Sequence, residues 1–193
     1  MIKTIIFDFF DVIYTDALVA MLEKRSWGHD PEVERISGDL DLGVIDDDQL
    51  FARLAAVFNE SADDLRAECE TYNVLNEELI PVIEHLSRTY HVGLLSDAPS
   101  DFLRGLLRDH DLERLFHNIT ISSEVGMRKP DAAIFKHALS QLHAEATETV
   151  FIDDKDRNVN AAKELGMKGI VYTNLPTLLS SLRELGINLP ADN

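Results

Sequence analysis

The sequence predicts an α/β fold, with helices packed on a mostly parallel sheet, from three observations. Short apolar runs ending in polar or acidic residues recur along the chain, and amphipathic stretches of helical period separate them. Proline and glycine mark where those stretches open and close. With 193 residues, 45% of them hydrophobic, the chain can bury one sizeable core plus a small appended module.

The elements follow in order. "TIIFDF" at 4–9 is the first candidate strand, followed by "VGLLS" at 92–96, "NITIS" at 118–122, "TVFID" at 149–153 and "GIVYT" at 169–173. Between them, "PSDFLRGLLRDH" opens on Pro99 at a first helical position, and "DAAIFKHALSQL" follows Pro130 and starts on Asp131. "DRNVNAAKELG" closes on Gly166 and "TLLSSLRELG" on Gly186, each short enough for a crossover helix. The stretch 17–80 breaks this rhythm. It reads as several helices with no strand between, among them "DDDQLFARLAAVF" and "SADDLRAECETY", with "GDLDLG" as a loop. The chain then returns through a helix carrying "VIEHLSRTY", with Pro81 in its first turn, because an interior proline would remove a hydrogen bond. The expected organisation is a core of residues 1–16 and 81–193 with a helical insert of residues 17–80.

Charge narrows the function. A formal net charge of -17, from 35 Asp+Glu against 18 Lys+Arg, repels polyanions, so neither nucleic acid nor an anionic membrane is an expected partner. A small anion would have to be held by a local device. The N-terminal apolar stretch is short and broken by Asp8 and Asp11, and no run is long enough to span a bilayer, so the expected compartment is the cytoplasm. Cys69, flanked by glutamates, reads as an idle thiol. The seven histidines show no ligand spacing.

In an open parallel sheet the ligand site lies beyond the C-terminal ends of the strands. Strand one delivers Asp8 there, with Asp11 beyond it. Strand two delivers Ser96 and Asp97, the loop after strand three delivers Lys129, and strand four delivers Asp153 and Asp154. Crowding Asp8, Asp153 and Asp154 on one edge calls for a cation, and an all-oxygen donor set favours Mg²⁺ over zinc or copper.

Four short stretches, in order, resemble the motifs of the haloacid dehalogenase-like hydrolases. They are "FDFFDV" with Asp8, "LLSDA" with Ser96, "GMRKPD" with Lys129, and "FIDDKDRNVNAAKELGM" with its acid pair. The resemblance covers about residues 1–16 and 92–175 and implies a Rossmann-like sheet with a small helical cap over the site. It implies that Asp8 is the nucleophile, forming an aspartyl-phosphate. Ser96 and nearby backbone N–H groups would hold a phosphate oxygen, and Lys129 would balance developing charge. Mg²⁺ would sit on Asp8, the Phe10 backbone carbonyl and Asp154, with Asp153 binding through water or orienting a neighbour and Asn158 behind them. The expected function is hydrolysis of a small phosphorylated metabolite, such as a sugar phosphate, by a monomer or homodimer.

One position departs from that pattern. Two residues after the nucleophile, where the family's phosphatases carry an aspartate that moves the leaving-group proton, this chain has Phe10. General acid–base help is worth about 10² to 10⁴ in rate, so its loss slows hydrolysis without forbidding it. Three explanations compete. Asp11 supplies the proton; the enzyme works without an acid there; or the electrophile has changed, since metal-independent haloacid dehalogenases carry an aromatic residue at this position. Against the last stand Asp153 and Asp154, which such enzymes replace with neutral residues. A contrasting class is a silent protein that binds a phosphorylated ligand without turnover. Asp97 is a second departure: either it faces the site, or it caps the helix begun by Pro99, the simpler reading. Asp131 and Asp156 read as helix caps, Arg128 as a surface or salt-bridge residue, and Phe9, Phe10 and Tyr14 as core rather than substrate walls.

Overall fold

The computed structural model describes residues 1–28 and 30–189, so His29 and the last four residues of the expected core lie outside the described residues. Five parallel strands form one sheet in the order β3-β2-β1-β4-β5. They are β1 (Thr4–Phe7), β2 (His91–Ser96), β3 (Asn118–Ile121), β4 (Thr149–Asp153) and β5 (Lys168–Val171), each within three residues of its expected ends. Ten α-helices accompany them among the described residues. Four belong to the insert: α1 (Ala17–Lys24), α2 (Pro31–Asp41), α3 (Asp47–Phe58) and α4 (Ala62–Glu70). The others are α5 (Ile80–Ser87), α6 (Ser100–Asp109), α7 (Ser122–Val125), α8 (Ala132–Gln141), α9 (Asp156–Glu164) and α10 (Leu175–Glu184).

Alternation along the strands explains the layers. Ile5, Phe7, Val92, Leu94, Val150 and Ile152 face one side and pack with Ile83 of α5, Leu103 of α6 and Leu182 of α10. Ile6, Leu95 and Phe151 face the other and pack with Ile134 and Phe135 of α8 and Ala162 of α9. Burial on both faces is why these strands read as continuous apolar runs. Because β1 has a neighbour on each side, the residue after it emerges at the middle of the sheet edge.

The insert has an apolar centre of its own. Met21 of α1, Val33, Ile36 and Leu40 of α2, Leu50 and Leu54 of α3 and Leu65 of α4 bury one another. Two chain crossings join it to the core, and they pair as a short antiparallel ribbon. Tyr14 bridges Leu75, Thr15 N–H donates to Val74 O at 2.9 Å, and Asn76 N–H donates to Ile13 O at 2.9 Å. The Asn76 amide also donates to Val12 O at 2.9 Å and to the Tyr172 hydroxyl at 2.7 Å, anchoring the ribbon to the core.

Two readings of the sequence need correction. "GDLDLG" is not a loop, because its first four residues complete α2. Pro31 opens that helix, the Asp30 carboxylate accepts from the N–H groups of Glu32 and Val33, and Val33, Ile36 and Leu40 make its apolar stripe. Gly38 is tolerated inside it because the helix presses on the core there: a Cβ at 38 would lie 2.6 Å from Arg128 Nη1. Asp131 occupies the position before α8, and Asp156 is the first residue of α9 rather than its cap; neither provides a side-chain cap to its helix. Pro81 does lie in the first turn of α5, and Pro99 sits one residue before α6.

Candidate active site

Asp8 leaves the sheet directly after β1, its N–H donating to Ile152 O at 2.8 Å. Asp153 ends β4 and Asp154 follows it, so parallel pairing of β1 with β4 sets the three acids side by side. One oxygen from each of Asp8, Asp153 and Asp154 lies within 4.8 Å of the others. Lys129 enters from the loop after α7. Its Nζ lies 2.6 Å from Asp8 Oδ1 and 2.9 Å from Asp153 Oδ2, and its side chain is 2% exposed. Ser96 ends β2, is fully buried, and its Oγ has no hydrogen-bond partner.

The three acids are held differently. Asp153 accepts from Lys155 N–H at 2.8 Å, from the Asn158 amide at 3.0 Å on each oxygen, and from Lys129. Burial alone would raise its pKa, but those donors hold its carboxyl below the usual carboxylate range. Asp8 accepts from Phe9 N–H at 2.7 Å and shares Lys129 with Asp153. Burial pushes it well above the usual range; Lys129 opposes that rise, and Asp153 and Asp154 add to it. Asp154 is pushed up to about 6 by burial, with Lys155 opposing, and its Oδ1 is buried without a hydrogen-bond partner. Burial would lower Lys129, but Asp8, Asp153 and Asp97 raise it above the ordinary lysine value. The edge is short of positive charge, its donor atoms are all oxygen, and one of them is unsatisfied. Those features fit a hard divalent cation.

A cleft of about 1350 Å³ opens beside this edge, between core and insert. Phe10, Pro99, Phe102, Arg128 and Lys155 line it from the core, and Asp16, Leu18, Leu22, Leu40 and Asp41 line it from the insert side. The aromatic expectation divides. Phe9 and Tyr14 are core, whereas the Phe10 ring stands in the cleft, parallel to Phe102 with centroids 6.3 Å apart. Asp97 is not a helix cap. It lines the cleft and its Oδ1 accepts from Lys129 N–H at 3.0 Å, so it braces the loop that carries the lysine. Asp11, in the left-handed region with φ of 57°, accepts from Asp16 N–H at 2.9 Å. Cys69 is half-buried, its thiol pushed up to about 12 by burial with Asp16, Asp47 and Glu70 adding, as suits an idle group.

Lys155, Asp16 and Asp41 were not singled out from the sequence. Lys155 carried a usable signal, since it directly follows the acid pair; burial would lower its pKa, but Asp154, Asp8 and Asp16 raise it. Asp41 lay in the stretch read as loop. The insert reaches the core beside it, where the Ser122 hydroxyl donates to the Asp41 carbonyl and Arg128 Nη1 lies 3.8 Å from the Asp41 carboxylate.

Among the described residues no helix is long and apolar enough to cross a membrane. Sequence comparison finds 31% identity over 69% of this chain to the sesquiterpene phosphatase astK of Aspergillus oryzae, and 25% over 87% to the D-ribitol-5-phosphate phosphatase of Bacteroides thetaiotaomicron. The chain spans 65% of the first of these, 90% of the second, and 34% of the related drimenol cyclase drtB of Aspergillus calidoustus. Among solved structures, the HAD family enzyme bt-2542 of Bacteroides thetaiotaomicron, in complex with magnesium and inorganic phosphate, superposes with a TM-score of 0.73. It covers 92% of this chain and 99% of its own at 20% identity, a likeness of fold. The sequence profile of the haloacid dehalogenase-like hydrolases matches residues 2–166, and the chain belongs to that family.

Proposed function

We propose that the protein is a Mg²⁺-dependent phosphatase that hydrolyses a small phosphorylated metabolite, such as a sugar phosphate, through an aspartyl-phosphate on Asp8. The observation that carries this reading is the cluster of buried Asp8 and Asp153 and half-buried Asp154 around Lys129, beside the unpartnered Ser96 hydroxyl. Phosphatases among the relatives support it.

Each residue then has a role its surroundings suit. An Asp8 oxygen attacks phosphorus, splitting one hard displacement into two easier ones. Ser96 Oγ donates to a phosphate oxygen, and Lys129 offsets the charge that develops there. Asp8, Asp154 and the Phe10 carbonyl would hold Mg²⁺, which supplies further positive charge against the phosphate. Asp153, with both oxygens already accepting, orients Lys129 and Asn158 and contributes through its charge. Helices α1–α4 act as the cap that covers the cleft and selects the substrate.

Phosphate release from a panel of sugar, nucleotide and terpenoid monophosphates, with Mg²⁺ or EDTA, tests this reading. Release that needs Mg²⁺ and is lost in Asp8→Asn supports it. Phe10 favours one rival, the dehalogenase, and halide release from 2-haloacids indifferent to EDTA would replace the phosphatase with it. Ligand binding without turnover would mark a silent binding protein.

A further inference from the structure

We propose that Asp41, delivered from the end of α2, is the proton donor that replaces the acid missing at Phe10. This rests on the phosphatase reading above.

Glu23, Glu34, Asp47 and Glu70 also line the cleft, from the insert, but of the acids at its core side and those that act on Asp41, three are engaged by hydrogen bonds. Asp16 Oδ1 caps α1 through Val19 N–H at 3.0 Å, Asp11 Oδ1 holds Asp16 N–H, and Asp97 Oδ1 holds Lys129 N–H. Asp154 belongs to the cation site, and Asp156 lies in the first turn of α9. The Asp41 carboxyl accepts no hydrogen bond among the described residues. Its one ion-pair partner among those residues is Arg128 at 3.8 Å, and its side chain, 33% exposed, lines the cleft.

Its position favours the protonated form. Asp41 is the last residue of α2, where the carbonyl end of the helix disfavours negative charge, and no basic residue stands in that turn. The charged groups that act on it from the surrounding elements are Asp97 beyond β2, Asp16 before α1, Arg128 after α7 and Lys155 before α9. Burial, then Asp97 and Asp16, push its carboxyl up to about 7, against Arg128 and Lys155. A donor is most effective with a pKa near the working pH. The Ser122 hydroxyl on the Asp41 carbonyl fixes the backbone, so this acid is in place when α2 is seated on the core.

The step balances. An Asp8 oxygen bonds to phosphorus, the bond from phosphorus to the leaving oxygen breaks, and the Asp41 proton passes to that oxygen, releasing the alcohol. In the second half the Asp41 carboxylate takes a proton from water as the water oxygen attacks phosphorus. Inorganic phosphate leaves, Asp8 returns as a carboxylate and Asp41 is protonated again.

The test is Asp41→Asn in the full chain with Mg²⁺, with p-nitrophenyl phosphate and β-glycerophosphate as substrates. For β-glycerophosphate, whose leaving group needs a proton, kcat/KM falls about 10²- to 10⁴-fold. For p-nitrophenyl phosphate, whose leaving group departs as an anion, kcat/KM falls far less, while kcat drops and a burst of p-nitrophenol appears because the second half is slowed. In the wild type, kcat/KM for β-glycerophosphate declines above about pH 7, and the variant loses that limb. Asp41→Glu recovers part of the loss. Equal losses of kcat/KM on both substrates, or none on either, would overturn the proposal and leave the phosphatase standing. A wild type silent on both would remove the phosphatase reading itself.

Discussion

The C-terminal edge of the sheet and the helical insert handle charge in opposite ways. At the edge, Lys129, Asp8 and Asp153 pair with side chains 0% to 5% exposed. In the insert, Arg35 bonds Glu32 and Asp39, and Arg66 bonds Asp48, with side chains 26% to 94% exposed. Solvent screens the second set, and breaking a pair there leaves both partners hydrated. Breaking a buried pair strands a charge with no water to receive it. A site that must stabilise charge on a substrate needs the first arrangement, and ion pairs that only hold helices together are served by the second.

Four substitutions sharpen that contrast. Asp8→Asn should reduce phosphate release to background in a chain whose melting curve stays cooperative; residual turnover near wild type would break the site's assignment. Lys129→Met leaves two buried carboxylates uncompensated and should cost about 3–5 kcal/mol in denaturant unfolding, with turnover lost as well. Leu54→Ala, at the fully buried centre of the insert, should cost about 2–5 kcal/mol. Hydrogen exchange should place the loosening in residues 17–72 while the sheet keeps its protection, and a loss spread over both regions would show the insert is not a separate unit. Arg35→Ala should leave the melting temperature within scatter, and a clear drop would mean that the insert's ion pairs are not screened.

The sheet and most of its site were legible because parallel pairing converts chain order into position. An apolar run followed by an acid delivers that acid to the edge, so Asp8, Ser96, Asp153 and Asp154 follow from β1, β2 and β4. Lys129, on a loop, was legible only through its neighbours in "GMRKPD". The insert was less legible because its partners are set by tertiary packing. Gly38 and Asp39 in "GDLDLG" have turn chemistry, yet Pro31 at the start and the Val33, Ile36, Leu40 stripe outweigh it. Asp97 was misread for a related reason: whether an acid caps its own helix or braces a distant loop depends on where that loop lies.

The paired crossing at Tyr14–Thr15 and Val74–Asn76 bears on how the insert can move. A single linker would let a module tumble, whereas two strands stitched edge to edge resist shear and torsion, since either motion breaks their cross-strand bonds. Flexing across the ribbon's flat face leaves those bonds whole. Any swing of the insert about this ribbon is therefore confined to one arc, like a door on its hinge, and the contacts of α2 with Ser122 and Arg128 mark one end of that arc.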